Sequence, residues 1–294
     1  MPELPEVEVV RRGLVEHFVG SRVESVTVFD HRALKRHPGS AANFASVLSG
    51  ATVGAAVRRG KFVWCPLDTE SALVIHLGMS GQIRVVDGDP IRHERVRMSL
   101  TGRDDLAFVD QRLFGSLAID SLVDVSDGQP AGLGSESTLI PSSVAHIARD
   151  VLDPALDEDA LITRFRKRTS GVKSALLNQN LVSGIGNIYA DEALWHAGIH
   201  YATPADRIRP IDYRRLFDAV RTVMTTALAV GGTSFDALYV NVNGESGYYD
   251  VSLNAYGQDG KPCRRCDTLI VREPWQNRSS HLCPSCQRAV RTRR

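Results

Sequence analysis

The sequence predicts a multi-domain α+β protein, because three different patterns follow one another along its 294 residues. An amphipathic helical repeat opens the chain, and strand-like alternation of apolar and polar residues fills most of its first half. Longer helical repeats fill most of the second half, and two close pairs of cysteines follow them. With 43% hydrophobic and 23% charged residues, the composition is that of a protein that buries a core, which excludes a disordered or collagen-like chain.

The first predicted element is a helix that begins after Pro5 and ends near Gly20. Val7, Val10 and Leu14 recur at helical spacing, so they define one apolar face. Two glutamates in its first turn suit the positive end of the helix dipole.

Strand patterns dominate the chain after this helix. The alternation in Val23–Val28 and the run Lys61–Trp64 are typical of strands, and similar runs continue to about Leu117. Residues 1–123 are therefore predicted to form one β-rich domain that carries the N-terminal helix. Residues 124–150 are predicted to be a linker, because Gly and Pro recur there with little periodicity.

Helical patterns resume in residues 151–256, which are predicted to form a second domain. The patterns lie at residues 161–168, 172–178, 189–197 and 213–230. Between the second and third patterns, Gly184 and Gly186 allow a tight turn, and the next helix begins near Asn187. The N–H groups at the start of that helix offer a phosphate site, but the alternative is a plain connection between helices.

Residues 257–294 are predicted to form a zinc finger. Two Cys-x2-Cys pairs with sixteen residues between them have the spacing of a zinc ribbon, and their members are Cys263, Cys266, Cys283 and Cys286. The four thiolates complete a tetrahedral site, so we expect one structural Zn²⁺ and no metal-activated water. A pair of disulfides is the alternative, which is disfavoured because the sequence shows no secretion signal.

Positive charge is concentrated in the last part of the sequence. Residues 261–294 hold nine Lys or Arg against Asp267 and Glu273, a net charge of +7 in a chain whose total is +1. This distribution indicates either a phosphate-rich partner or a solvated basic tail. No apolar run approaches the roughly 18 residues of a membrane span, so we expect a cytoplasmic protein without a membrane partner.

Five segments taken together resemble the formamidopyrimidine-DNA glycosylase family. They are Pro2–Glu8, Arg59–Phe62, His76–Gly81, Gly184–Leu194 and the cysteine ribbon, in the family's order. The resemblance implies an N-terminal β-sandwich, a helix-two-turn-helix domain with a lesion-binding loop, and a zinc finger, with double-stranded DNA in the cleft between the two halves. It also implies a monomeric bacterial enzyme of base excision repair, associated with the nucleoid when it is bound to DNA.

The resemblance implies removal of oxidised purines, such as 8-oxoguanine and formamidopyrimidines, with Pro2 as the nucleophile. Loss of Met1 would expose a secondary amine, and an N-terminal amine with a pKa of about 7.7–8.0 is partly neutral near pH 7. Its attack on the sugar C1′ would displace the base and form an iminium, so that β- and δ-elimination could cut the strand. By resemblance Glu3 donates a proton for ring opening and Lys61 transfers protons during β-elimination.

Further roles follow from the same resemblance. Arg278 is linked to δ-elimination, whereas Glu6 assists catalysis or only complements the helix dipole. Because base removal requires extrusion of the nucleotide, Met79, Arg112 and Phe114 would fill the gap in the duplex. From the residues alone, Met79 and Phe114 are expected to be ordinary core residues, and only the resemblance assigns them to the duplex. The further DNA contacts are assigned to Lys173, Asn187 and Arg278 and, by a looser match, to His93 and Arg168.

Two alternatives remain open at this point. An endonuclease VIII-like enzyme shares the architecture and Pro2 but removes oxidised pyrimidines, and the segment 233–248 differs from the better-known lesion-binding loop. Leu4 and the Arg112–Phe114 segment favour the purine enzyme. A DNA-binding paralogue without catalysis is the second alternative, and the presence of Pro2, Glu3 and Lys61 argues against it.

Overall fold

A computed structural model describes residues 2–232, 242 and 253–289. The chain divides into two compact units, one of residues 1–146 and 230–248, the other of residues 147–229 and 249–294. Among the described residues, no helix has the length and apolar character needed to cross a membrane.

The first unit begins with α1 (Leu4–His17), which confirms the N-terminal helix. At its start the Glu6 carboxylate accepts a hydrogen bond from the backbone N–H of Glu3 at 2.8 Å, which satisfies a donor that the helix itself leaves unpaired. Val7, Val10 and Leu14 are buried, as their spacing predicts.

Two antiparallel sheets form the body of the first unit. The four strands of one sheet are β1 (Val23–Val28), β5 (Gly81–Val86), β6 (Glu94–Leu100) and β7 (Asp105–Asp110), in the spatial order β1-β6-β7-β5. The strands of the other are β2 (Val57–Arg59), β3 (Phe62–Pro66), β4 (Ser71–His76), β8 (Ser116–Asp124) and β9 (Leu139–Pro141), in the order β2-β3-β4-β8-β9. Side chains of both sheets and of α1 share one hydrophobic core, which confirms the β-sandwich.

One element of the first unit differs from the strand pattern expected there. Residues Ala41–Leu48 form the short helix α2, with the Ser40 hydroxyl accepting the N–H of Asn43 at 3.1 Å. Phe44 and Leu48 lie four residues apart and are both buried, which is a helical spacing. A segment of eight residues is too short for this period to stand out from the strands around it.

The second unit contains four α-helices within the described residues. They are α3 (Glu158–Arg166), α4 (Val172–Leu176), α5 (Asn187–Ala197) and α6 (Pro210–Ala229). Gln179 holds the two turns between α4 and α5, because its amide donates to the carbonyls of Leu177 and Ile185 and accepts the N–H of Gly184, at 3.0–3.1 Å. The sequence pattern did not indicate this side chain.

A β-hairpin lies between the two cysteine pairs, as the sequence predicts. Its strands are β10 (Val271–Trp275) and β11 (Arg278–Leu282), and Trp275 pairs with Arg278, so Gln276 and Asn277 form the turn. Before the hairpin, the buried Glu192 carboxylate on α5 accepts the backbone N–H groups of residues 254–256. This contact anchors the start of the finger to α5.

After α6 the chain returns to the first unit. The carbonyl of Val242 accepts the N–H of Val85 on β5 at 3.1 Å, and Gly232 packs against Glu6. The sequence instead grouped residues 151–256 with the helices. The lesion-binding segment predicted at residues 233–248 lies outside the described residues except for Val242.

Candidate active site and metal centre

The start of α1 brings the predicted nucleophile and two carboxylates together. Pro2 is buried, and Glu3 and Glu6 are each 2% exposed. Glu6 is enclosed further by Gly232, where a Cβ atom would lie only 3.0 Å from the Glu6 Oε1 atom. Since its carboxylate holds the backbone of Glu3, Glu6 has a structural role in fixing the residue that follows Pro2.

Lys61 lies in the turn of a tight hairpin. Arg59 on β2 pairs with Phe62 on β3, so Gly60 and Lys61 form a two-residue turn between the strands. The Lys61 side chain is half-buried. The position of the Lys61 side chain therefore depends on the short hairpin and on the contacts that hold this hairpin against the rest of the first unit.

His76 is a candidate that the sequence analysis did not assign, although it lies in the segment His76–Gly81. Its ring lies 4.8 Å from the ring of Phe62, and its Nδ1 atom has no hydrogen-bond partner among the described residues. Burial, followed by the charges of Arg36, Lys61 and Lys35, lowers the pKa of His76 to about 4. The site thus holds a neutral imidazole among three cations, which suits an anionic ligand such as phosphate.

A buried carboxylate joins the two loops that carry the predicted gap-filling residues. Asp110, fully buried at the end of β7, accepts the backbone N–H groups of Arg112, Leu113 and Gly115 at 3.1, 3.0 and 2.7 Å. It also accepts the hydroxyl of Ser80 at 2.5 Å. A Cβ atom at Gly78 would overlap the backbone of Phe114, so glycine is needed where the two loops meet.

This arrangement presents the predicted gap-filling residues at one place. Phe114 is 46% exposed and Arg112 is exposed, while Met79 is half-buried. The alternative that Phe114 is a core residue is therefore wrong. His93 adjoins the same loop, because its carbonyl accepts the N–H of Asp110 at 3.0 Å.

Three residues predicted to contact DNA meet in the second unit at the hairpin β10–β11. The carbonyl of Ser279 accepts hydrogen bonds from Lys173 Nζ at 3.0 Å and from Asn187 Nδ2 at 3.1 Å. Arg278, the neighbour of Ser279, is exposed at the hairpin turn. Arg168 lies apart from them, exposed in the loop after α3.

The structure places Lys173 differently from the predicted phosphate contact. Its side chain is fully buried, and its ammonium pairs with Asp191 at 2.6 Å and donates to the Ser280 hydroxyl at 2.9 Å. A buried ammonium with these partners fixes the hairpin to α5. His281 also contacts Asp191, since its backbone N–H donates to that carboxylate at 2.9 Å.

The four predicted metal ligands form one cluster. Their sulfur atoms all lie within 4.8 Å of one another, and the distances from Cys266 to Cys283 and Cys286 are 3.5 and 3.4 Å. Four thiolates at about 2.3 Å around zinc would lie about 3.8 Å apart, so the cluster fits a structural zinc site. No disulfide joins any of the five cysteines, all of which lie within the described residues.

Contacts outside the cluster support its ligands. Hydrogen bonds from Thr268 lower the pKa of the Cys266 thiol to about 6, which favours the thiolate that a metal requires. The indole Nε1 of Trp195 donates to the sulfur of Cys263 at 3.4 Å. The guanidinium of Arg265 stacks on the Trp195 ring at 3.8 Å, so the cysteine cluster is fastened to α5.

Comparison with known proteins agrees with this geometry. Residues 1–117 match the formamidopyrimidine-DNA glycosylase N-terminal domain, and residues 147–238 match the H2TH domain of the same enzymes. The formamidopyrimidine-DNA glycosylase of Leifsonia xyli is 53% identical, over 98% of this chain and all of that protein.

Two solved structures have the same fold. One is a Lactococcus lactis Fpg mutant in complex with DNA that contains Fapy-dG, which is 28% identical with a TM-score of 0.81, over 98% of this chain and 100% of that one. The other is the MutM (Fpg) protein of Thermus thermophilus, which is 30% identical with a TM-score of 0.81, over 97% and 98% of the two chains.

Proposed function

This chain belongs to the formamidopyrimidine-DNA glycosylase family, and from that premise we propose that it removes oxidised purines from double-stranded DNA and cuts the strand at the abasic site. The observation that carries the proposal is the turn held by Asp110, which exposes Phe114 and Arg112 beside the Met79 loop. Folding alone does not require an exposed aromatic ring on a turn fixed by a fully buried carboxylate. Insertion into a base stack does require one, because an extruded nucleotide leaves a gap.

The chemistry begins at Pro2 once Met1 has been removed. The secondary amine donates its lone pair to C1′ of the damaged nucleotide, and the bond from C1′ to the base breaks, with its electron pair leaving on the base, which takes up the proton that the amine nitrogen loses. The nitrogen then forms a double bond to C1′ as the bond from C1′ to the ring oxygen breaks, and Glu3 supplies a proton to that oxygen. The product is an iminium cation between Pro2 and C1′, whose nitrogen carries no proton. The role of Glu3 rests on the family resemblance and on its buried position directly after Pro2.

Strand cutting then uses the acidity of the iminium. Loss of a C2′ proton supplies the electrons that expel the 3′ phosphate, and a second elimination expels the 5′ phosphate. Lys61 accepts and returns protons in these steps, and Arg278 assists the second elimination. These roles rest on the family resemblance and on the positions of the two side chains.

DNA binding uses groups from both units. His76 and Lys61 in the first unit and Asn187 and Arg278 in the second bind phosphates, and Met79, Arg112 and Phe114 occupy the gap in the duplex. Lys173 acts through the hairpin that presents Arg278. Since the Lactococcus lactis relative was solved with Fapy-dG in its DNA, formamidopyrimidines are among the bases that we expect to be removed.

The four cysteines would hold one Zn²⁺. Zinc in a site of four thiolates supplies no reactive water, so its contribution is to keep the hairpin folded and Arg278 in place. We further propose that the protein works as a monomer in the bacterial cytoplasm, on the DNA of the nucleoid.

A panel of lesions tests the proposal. The purified protein is given duplexes with 8-oxoguanine opposite cytosine, a formamidopyrimidine opposite cytosine, or thymine glycol opposite adenine, and base release is measured separately from strand cutting. We expect faster release of the two purine lesions. Preferred release of thymine glycol would assign the chain to oxidised pyrimidines, and binding without release would make it a DNA-binding protein only.

A further inference from the structure

A buried ion pair links α1 to the hairpin that carries Lys61. The Arg58 side chain on β2 is 1% exposed, and its Nε donates to the Oε2 of Glu8 on α1 at 3.0 Å. Glu8 is 2% exposed. The same guanidinium donates from Nη1 to the carbonyl of Gly60 at 3.2 Å. Arg58 therefore contacts the residue before Lys61 on one side and the catalytic helix on the other.

Glu8 is held as an anion by several cations. Burial raises the pKa of its carboxyl, but hydrogen bonds from Arg11 and the charge of Arg58 outweigh that effect and lower it. Arg11 donates to both oxygens of Glu8, at 2.8 and 2.9 Å. Its Nη1 donates to the carbonyl of Ala56 at 3.3 Å, so Arg11 contacts the chain at a different place from Arg58.

Stability alone does not account for this arrangement. A buried ion pair often adds little to folding, because desolvation of two charges offsets their attraction, and apolar residues of similar size serve as well. A guanidinium differs from an apolar side chain in having donors at fixed angles, so it can bind two partners in a defined geometry. Here the partners are Glu8 and the turn before Lys61.

The linkage connects the start of α1 to the Lys61 turn, and these two segments carry the groups used in successive steps. Glu8 lies five residues after Glu3, the residue that caps the start of α1, and therefore about 7.5 Å along the helix axis at about 1.5 Å per residue. Lys61 directly follows the carbonyl that Arg58 binds. Because the start of α1 and the Lys61 turn come from different parts of the chain, their mutual position depends on contacts of this kind.

We propose that Arg58 is a positioning residue that holds the Lys61 turn in a fixed position relative to the start of α1, so that Lys61 can act in the elimination steps. This inference rests on the proposed function. It assigns no contact with DNA to Arg58. It expects that changing Arg58 slows strand cutting far more than iminium formation, and only when Lys61 is present.

A double-mutant cycle tests the proposal. The variants are Arg58→Lys, Lys61→Ala and the double variant. Arg11→Lys is the matched control, because Arg11 also donates to the Glu8 carboxylate but contacts the carbonyl of Ala56 instead of that of Gly60. With enzyme in excess, strand cutting is timed on a duplex with a preformed abasic site, and iminium formation is timed by borohydride trapping on the same duplex. These two rates separate the elimination steps from the formation of the covalent intermediate.

We expect Arg58→Lys to slow cutting about 10- to 100-fold, as a shift of about 1 Å in a catalytic group does, and to change trapping less than about threefold. In the Lys61→Ala background, Arg58→Lys should cause no further loss of the cutting rate. The single variant Arg11→Lys should cut the strand at a rate within about threefold of that of the unchanged protein. Equal losses with and without Lys61, or an equal loss in Arg11→Lys, would overturn the proposal.

Folding is checked by thermal unfolding of each variant. Should Arg58→Lys unfold at the assay temperature, the pair Glu8→Gln with Arg58→Met removes both buried charges, and the same selective loss of cutting is expected. If the unchanged protein gives no trapped adduct, the proposed function fails. If the adduct forms but the losses are additive, the proposed function stands and the role of Arg58 fails.

Discussion

The Asp110 carboxylate gives the sharpest test of how the first unit presents Phe114. In Asp110→Asn, one carboxylate oxygen can keep the contacts with Ser80, Arg112 and Leu113, which all involve Oδ1. The Oδ2 atom that accepts the N–H of Gly115 at 2.7 Å becomes an NH₂ group. Two donors then face each other in a fully buried site.

The free-energy cost of Asp110→Asn follows from the loss of the single contact with the N–H of Gly115. A hydrogen bond to a charged group contributes about 1.5–3 kcal/mol, and the unpaired N–H of Gly115 adds to the loss. If the loss affects the turn alone, the equilibrium constant for ordering the turn falls by about 10- to 100-fold, because about 1.4 kcal/mol corresponds to a factor of ten. The rate of base release should fall by up to the same factor.

The assay measures base release from an 8-oxoguanine duplex under single-turnover conditions, together with urea unfolding. The control is Asp105→Asn at the other end of β7, where the carboxylate is half-buried and accepts the Ser99 hydroxyl at 3.2 Å. We expect the control to release base at the unchanged rate. An Asp110→Asn protein with full activity and an unchanged free energy of unfolding would refute the role given to Asp110.

Three further predictions concern other parts of the molecule. His76 has a folded pKa of about 4 against about 6.5 when unfolded, so the unfolded state binds more protons and stability falls as the pH drops from about 6.5 to 4, by up to about 3 kcal/mol. His76→Gln should flatten this acid-side loss in urea unfolding at about pH 4–7, and an unchanged slope would contradict the assignment. Gly232→Ala should slow base release about tenfold or more, because a Cβ atom 3.0 Å from Glu6 displaces the carboxylate that holds Glu3, with Gly88→Ala, where no atom lies within 4 Å, as the control. An equal effect of the two substitutions would point to backbone strain instead, since both glycines have positive φ. Cys283→Ser should weaken DNA binding and release zinc while the first unit keeps its unfolding transition, and unchanged affinity would argue against a phosphate contact by Arg278.

Much of the fold could be predicted because period and spacing are local properties. The repeat of Val7, Val10 and Leu14 needs no tertiary contact to be recognised, and neither does the spacing of the four cysteines. The short helix α2 could not be predicted with the same certainty, because its eight residues contain only about two turns.

The supporting contacts of the site could not be predicted. Glu8 and Arg58 are 50 residues apart, and Ser80 and Asp110 are 30 apart, so nothing in their local sequence indicates that they meet. For Lys173 the local sequence gave a prediction, but the folded structure places the side chain differently. A lysine on a short helix suggests an exposed cation, but its pairing with Asp191 becomes visible only when α4, α5 and the hairpin are folded together.

Pro2 and Lys61 both carry an amine that could bond to the sugar. The residue to which the sugar becomes covalently attached shows which of the two is the nucleophile. The protein is mixed with a duplex containing 8-oxoguanine, reduced with borohydride and digested, and the peptide that carries the deoxyribose remnant is sequenced by mass spectrometry. We expect the remnant to be attached to the N-terminal nitrogen of a peptide that begins at Pro2. Attachment to Lys61, or base release without any attached remnant, would contradict the role of Pro2 as the nucleophile.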